Sequence, residues 1–98
     1  MIIRIVKMTF KQESIPRFLE DFEKNKRQIR AFPGCRKLEL LCDVNEPNTL
    51  FTYSYWKSED DLNAYRKSEF FGSVWKKTKT YFAAPPEAWS VERIAELP

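Results

Sequence analysis

The apolar residues of this chain change period along its length, and that change constrains the fold more than any single motif. From Ile2 to Phe10, the residues Ile2, Arg4, Val6, Met8 and Phe10 alternate with Ile3, Ile5, Lys7 and Thr9. A period of two marks a strand, here apolar on much of both faces and therefore covered on both sides. Beyond it the period lengthens, and Ile15, Phe18, Leu19, Phe22, Ile29 and Phe32 recur near helical spacing. Ser14 supplies an N-cap, Pro16 is tolerated in the first turn, and "FPG" ends the element, which predicts a helix to about Ala31.

Period two then returns. Over Arg36 to Asp43, Leu38, Leu40 and Cys42 alternate with Lys37, Glu39 and Leu41; over Leu50 to Trp56, the faces split into Phe51, Tyr53, Tyr55 and Leu50, Thr52, Ser54, Trp56. The turn residues "NEPN" join the two as an antiparallel hairpin. Ser58 with Asp61 predicts a capping box for a short helix through Tyr65, and Ser68 opens another through about Phe82, with Phe71, Val74, Trp75, Thr78 and Phe82 on one stripe. Pro85 and Pro86 end the helix, and Ala88 to Ile94 predict a last strand.

This order is the split βαββαβ arrangement of an α+β, ferredoxin-like fold with a four-stranded antiparallel sheet. Its helices cover one face of the sheet. Apolar residues such as Ile3, Ile5 or Phe51 on the other face would be exposed in a monomer, so a homodimer packed sheet against sheet is the expectation.

A length of 98 residues predicts one domain, 1–98. The balance of 43% hydrophobic and 32% charged residues is that of a soluble globular chain. A net charge of +3, from 17 basic and 14 acidic residues mixed along the sequence, describes a solvated surface, so no nucleic-acid partner is expected. The basic run "KNKRQIR", Lys24 to Arg30, complements the dipole of its own helix. With no run of about 20 apolar residues, no membrane partner is expected and a cytoplasmic location follows. The N-terminal "MIIRIVKMTF" carries Arg4 and Lys7 and lacks the pattern of a signal peptide.

The chain has no histidine, which excludes histidine metal ligation, histidine base catalysis and histidine haem ligation. Cys35 and Cys42 share one extended segment and are expected as free thiols; Cys35, with no histidine to activate it, is expected to be structural. Two glycines in all leave no flavin or nicotinamide fingerprint, and neither a cofactor nor a metal is expected.

The run "AFPGCRKLEL", then "NEPNTLFTYSYWKSEDDLNAYRKSEFF", then a helix and a short closing strand, resembles the antibiotic biosynthesis monooxygenase (ABM) domain family of dimeric α+β barrels, over about Ile2 to Ile94. The most specific piece is the succession of aromatic strand, Trp56, capped helix and "SEFF". The resemblance implies a protomer that dimerises into a barrel, with a ligand pocket between each sheet and its helices. It implies several activities, among them cofactor-independent oxygenation of quinols or polyketide phenols and haem degradation. The haem-degrading branch needs an axial histidine where this chain has Trp75, a tryptophan where it has Tyr65, and an asparagine on the first strand, which is absent. A histidine that many ordinary members carry at the place of Tyr65 is also missing.

Oxygenation without a cofactor needs a phenol or quinol that supplies electrons once ionised. The protein excludes water, takes the phenolic proton and stabilises the anion. For that chemistry the catalytic candidates are Tyr65 and Arg93, and the candidates to bind a small aromatic ligand are Trp56, Trp75, Tyr53, Tyr55, Asn63 and Phe71. Each has a packing alternative: Trp56 as a strand-end ring sealing the sheet, Trp75 as core, the tyrosines as amphipathic residues between surface and core, Asn63 as a solvated helix residue, and Arg93, on the last strand, paired with a carboxylate such as Glu39. Arg4, on a strand otherwise apolar, pairs with a carboxylate such as Glu39 or stabilises an anionic substrate, and Lys7 is a base only if desolvated. Against the oxygenase reading stand a module that binds an aromatic metabolite without turnover, and a pocket filled by its own rings.

Overall fold

Strand β1 (Ile2–Thr9) lies between two antiparallel neighbours and sets the register of the whole sheet. The computed structural model describes all residues, Met1–Pro98. After β1 come a 3-10 turn (Gln12–Ser14), α1 (Ile15–Arg30), β2 (Cys35–Cys42), β3 (Thr49–Trp56), α2 (Glu59–Arg66), α3 (Glu69–Lys79) and β4 (Glu87–Val91). The sheet order is β2-β3-β1-β4, antiparallel throughout, the ferredoxin-like arrangement read from the sequence.

Pleating divides the strands into two sets. On the helix-facing side Arg4 pairs with Ser54 and Ser90, and Val6 with Thr52 and Ala88. On the other side Ile3 pairs with Tyr55 and Val91, and Ile5 with Tyr53 and Trp89. No helix covers that second side, where Leu41, Trp89 and Val91 stay exposed; of the residues expected to be exposed there, Ile3 is buried among its cross-strand neighbours and Ile5 and Phe51 are half-buried.

Between sheet and helices the core gathers at two ends. One cluster holds Met8, Phe10, Phe18, Leu50 and Tyr81; the other holds Ile29, Cys35, Trp56, Leu62 and Tyr65. The half-buried side chains between them, Val6, Leu38, Phe71 and Trp75 among them, leave the middle of the layer unfilled.

Several boundaries differ from the sequence reading. Strand β4 ends at Val91 rather than Ile94, because Val91 already pairs with Ile3 and the antiparallel register then runs off the start of β1. Helix α3 ends at Lys79 rather than Phe82, since the next residues turn to meet β1: the Lys11 N–H donates to the Tyr81 carbonyl (2.9 Å) and the Ala83 N–H to that of Thr9 (2.8 Å). Ser14 precedes α1 without a side-chain cap, its backbone already helical after the 3-10 turn.

Of the capping box at α2, the bond formed is from the Asp61 N–H to Ser58 Oγ, 3.1 Å. The Asp61 side chain instead packs over Gly34, where a Cβ would collide with it. Gly34 also has φ +88°, and its carbonyl accepts from the Lys57 N–H at 2.8 Å, so this turn requires glycine twice over. Cys35 is buried, Cys42 is exposed, and both are free thiols. No helix is long and apolar enough to cross a membrane.

Candidate functional site

The unfilled middle of the sheet-helix layer is a cavity of about 320 Å³. It falls at the lower end of the size range of small-molecule pockets. Its floor is the helix-facing side of the sheet, with Arg4, Val6, Thr52 and Ser54, and its roof comes from all three helices.

Trp56 ends β3 on the floor side and is 1% exposed; its indole N–H donates to Ser54 Oγ at 2.9 Å, which fixes the ring. Tyr65, in the last turn of α2, stacks on it with centroids 4.9 Å apart and planes 27° off parallel. The α2–α3 junction holds that ring in place, because Ser68 Oγ donates to the Tyr65 carbonyl (2.6 Å) while accepting from the Phe71 N–H (3.1 Å). Phe71 meets the Tyr65 edge at 5.0 Å and stacks with Trp75 at 5.9 Å and 13°. An unbroken series of ring contacts thus runs from β3 across α2 and along α3.

Polar groups are few on these walls. Ser54 is engaged by Trp56, and the Thr78 hydroxyl donates to the Val74 carbonyl at 2.8 Å. The Tyr65 hydroxyl bonds to no protein group and is not fully buried, and Tyr65 is one of the residues that line the cavity. Burial, then the neighbouring Cys35, pushes its pKa well above the ordinary tyrosine value, so Tyr65 is a neutral proton donor and not a base. Burial likewise raises the Cys35 thiol, which makes it a poor nucleophile.

Two cations complete the lining, Arg4 from β1 and Arg66 from the end of α2. Arg4 Nη1 donates to Ser90 Oγ at 3.0 Å, and neither guanidinium belongs to an ion pair. No aspartate or glutamate lines the cavity. The pKa of Arg4 is lowered, first by burial and then by Arg66, so the pair lacks a counter-charge. Glu39, the partner considered for Arg4, lies on the opposite side of the sheet and pairs with Lys37 at 3.7 Å.

The eight residues proposed from sequence are therefore separated. Trp56, Tyr65, Phe71 and Trp75 converge on the cavity. Tyr53 and Tyr55 point to the other side of the sheet, because they are one residue out of phase with Trp56 on the same strand. Arg93, beyond the end of β4, lies with them: its Nη2 donates to the Tyr55 hydroxyl at 2.7 Å, and its guanidinium sits 5.4 Å from the centre of that ring. Asn63, half-buried on α2, is not among the lining residues, although Leu62, Tyr65 and Arg66 of the same helix are. Lys7 is also on the far side, 3.8 Å from Glu87. Arg66 was missed, although it directly follows Tyr65 in the last turn of α2.

Fold and cavity together define an α+β protein of the ferredoxin-like class, with a ligand-sized, aromatic-walled chamber between its sheet and its helices. The chain belongs to the antibiotic biosynthesis monooxygenase family, whose sequence model matches residues 1–77. Among solved structures it is similar to an antibiotic biosynthesis monooxygenase at 17% identity, with a TM-score of 0.89 over 97% of this chain and 100% of that one. It is similar also to Rv0793 of Mycobacterium tuberculosis (14%, TM-score 0.88, covering 99% and 98%). A conserved protein of Methanosarcina mazei aligns at 19% with a TM-score of 0.87, covering 94% and 92%. At such identities the likeness is one of fold. No curated protein sequence matches the chain.

Proposed function

We propose that this protein is a cofactor-independent monooxygenase of a small aromatic phenol or quinol, and that it works as a homodimer. The observation that carries the reading is the free, neutral Tyr65 hydroxyl on the wall of an aromatic cavity that holds two unpaired cations and no carboxylate. Rings bound between Trp56, Phe71 and Trp75 would lose water, and in that environment a donor and a positive potential favour an ionised phenol over its neutral form.

An electron-rich phenolate can then react with oxygen unaided. For a phenol oxidised at its para carbon, one oxygen atom becomes the new carbonyl. The other leaves as water, taking the ring hydrogen and the phenolic proton, and the ring supplies all the electrons. Tyr65 would hold the phenolic oxygen throughout, as a hydrogen-bond donor that strengthens when charge develops there. No lining side chain is a base at neutral pH, so the proton passes to solvent or to the reduced oxygen.

Absence of a base also favours a second reading, in which the same cavity binds an aromatic metabolite without reacting it. In both readings the uncovered side of the sheet, with Tyr53, Tyr55 and Trp89, serves the contact between two copies. Arg93 would then brace that face through Tyr55.

Oxygen consumption against a panel of anthrols, naphthohydroquinones and catechols, with spontaneous oxidation subtracted, tests the enzyme. Protein-dependent uptake that falls in Tyr65→Phe supports it. Saturable quenching of tryptophan fluorescence by the same compounds, with no uptake, selects the binding module.

A further inference from the structure

We infer that the ligand of this cavity is an aromatic acid, whose carboxylate, ionised before it binds, is held by Arg4 with Arg66 while its rings enter the aromatic chamber. The inference rests on the cavity being a ligand site, as proposed above, and adds the chemical class of what it takes.

Lining the chamber are two guanidinium groups and no acidic group, and neither cation has an ion-pair partner elsewhere. A buried or half-buried cation is ordinarily paired. Arg4 is half-buried on the sheet floor, and its guanidinium donates to a neutral serine hydroxyl on β4. Desolvation and the like charge of Arg66 both disfavour its charged form, and a bound anion relieves both at once. A phenolate alone would need one cation and a shifted equilibrium, whereas a carboxylate is ionised at neutral pH and can accept from a guanidinium fork at both oxygens.

Position supports the same assignment. Arg66, Ala88 and Ser90 are exposed, which marks this side of the chamber as its mouth, while Trp56 and Tyr65 are buried. An acid group at the mouth stays partly hydrated, so its desolvation is small, and the apolar part of the ligand fills the interior. Such a ligand enters in one orientation, rings first.

The test is calorimetric titration of the purified protein with 2-naphthoate and with its neutral counterpart 2-naphthamide, in the wild type and in Arg4→Gln, Arg66→Gln and a surface control, Lys57→Gln. A charge-assisted pair of bonds predicts binding of the acid about 10- to 100-fold tighter than the amide in the wild type and in the control. In Arg4→Gln the acid loses affinity by a larger factor than the amide, so that preference collapses, which a purely structural role for Arg4, weakening both alike, would not produce. Arg66→Gln, at an exposed site, shows a partial loss even if Arg4→Gln does not fold. Equal affinity for acid and amide in the wild type, or a preference that survives in both arginine variants, overturns the inference and leaves the aromatic cavity standing. Failure of both compounds to bind overturns the cavity as a ligand site as well. Acid-selective binding with no oxygen uptake from any phenol upholds the inference and removes only the oxygenase.

Discussion

Trp56 and Tyr65 stack 4.9 Å apart, yet they differ in how their polar atoms are spent. The indole N–H is committed to Ser54 at 2.9 Å, so Trp56 is held as a wall. The Tyr65 hydroxyl has no protein partner. Replacing Tyr65 by Phe keeps the stacked ring and removes only that oxygen. Stability at neutral pH should change by less than about 1 kcal/mol, because no protein hydrogen bond is lost, while uptake of oxygen with phenolic substrates should fall. Urea denaturation and oxygen consumption on the same preparation check both.

The same variant carries a pH signature. Tyr65 holds its proton more tightly folded than unfolded. Its contribution is therefore complete below the unfolded tyrosine pKa, about 10, and is lost as pH rises beyond it toward the higher folded value. Stability of the wild type should decline above that point more steeply than that of Tyr65→Phe. Parallel alkaline profiles would contradict the burial of the phenol.

Ser54→Ala would leave the Trp56 N–H buried without its acceptor. The expected cost is about 1–3 kcal/mol, read as a lower urea midpoint with an unchanged slope.

Gly34→Ala should destabilise by a similar amount, about 1–3 kcal/mol. Its φ of +88° disfavours any side chain, and the added methyl meets Asp61. Gly72→Ala is the control, since nothing lies within 4 Å of a Cβ there and helix propensity favours alanine. A loss equal to that of Gly34→Ala would refute the argument.

At Asp21 the sign of the pH effect is opposite. Burial alone would raise this carboxyl, but hydrogen bonds from Tyr81 (2.7 Å) and Lys77 (3.1 Å) outweigh it and hold the pKa below the usual value. The stabilisation is full above the unfolded value, about 3.9, and fades as pH falls through the lower folded one. Asp21→Asn should be less stable by about 1 kcal/mol at neutral pH, a modest figure because solvent screens the site. The gap should close in strong acid; a constant gap would mean that the carboxylate charge contributes nothing.

Sequence periodicity alone determined the order of elements and the antiparallel hairpin, because each depends on which residues within a short window share a face. Trp56, Tyr65, Phe71 and Trp75 came forward from their aromatic character and from the family the sequence resembles, not from periodicity. Parity along β3 already separated Tyr53 and Tyr55 from Trp56, and only their shared aromatic character suggested one pocket. What tertiary structure decided was the cavity itself. An unfilled space arises from side chains on four strands and three helices failing to meet, and no local pattern records a distance between elements. Arg4 reads in sequence as a strand cation with Glu39 as one possible partner; only the pleat, which sends Glu39 to the far side of the sheet, leaves Arg4 facing the chamber with Arg66 beside it and no anion to answer them.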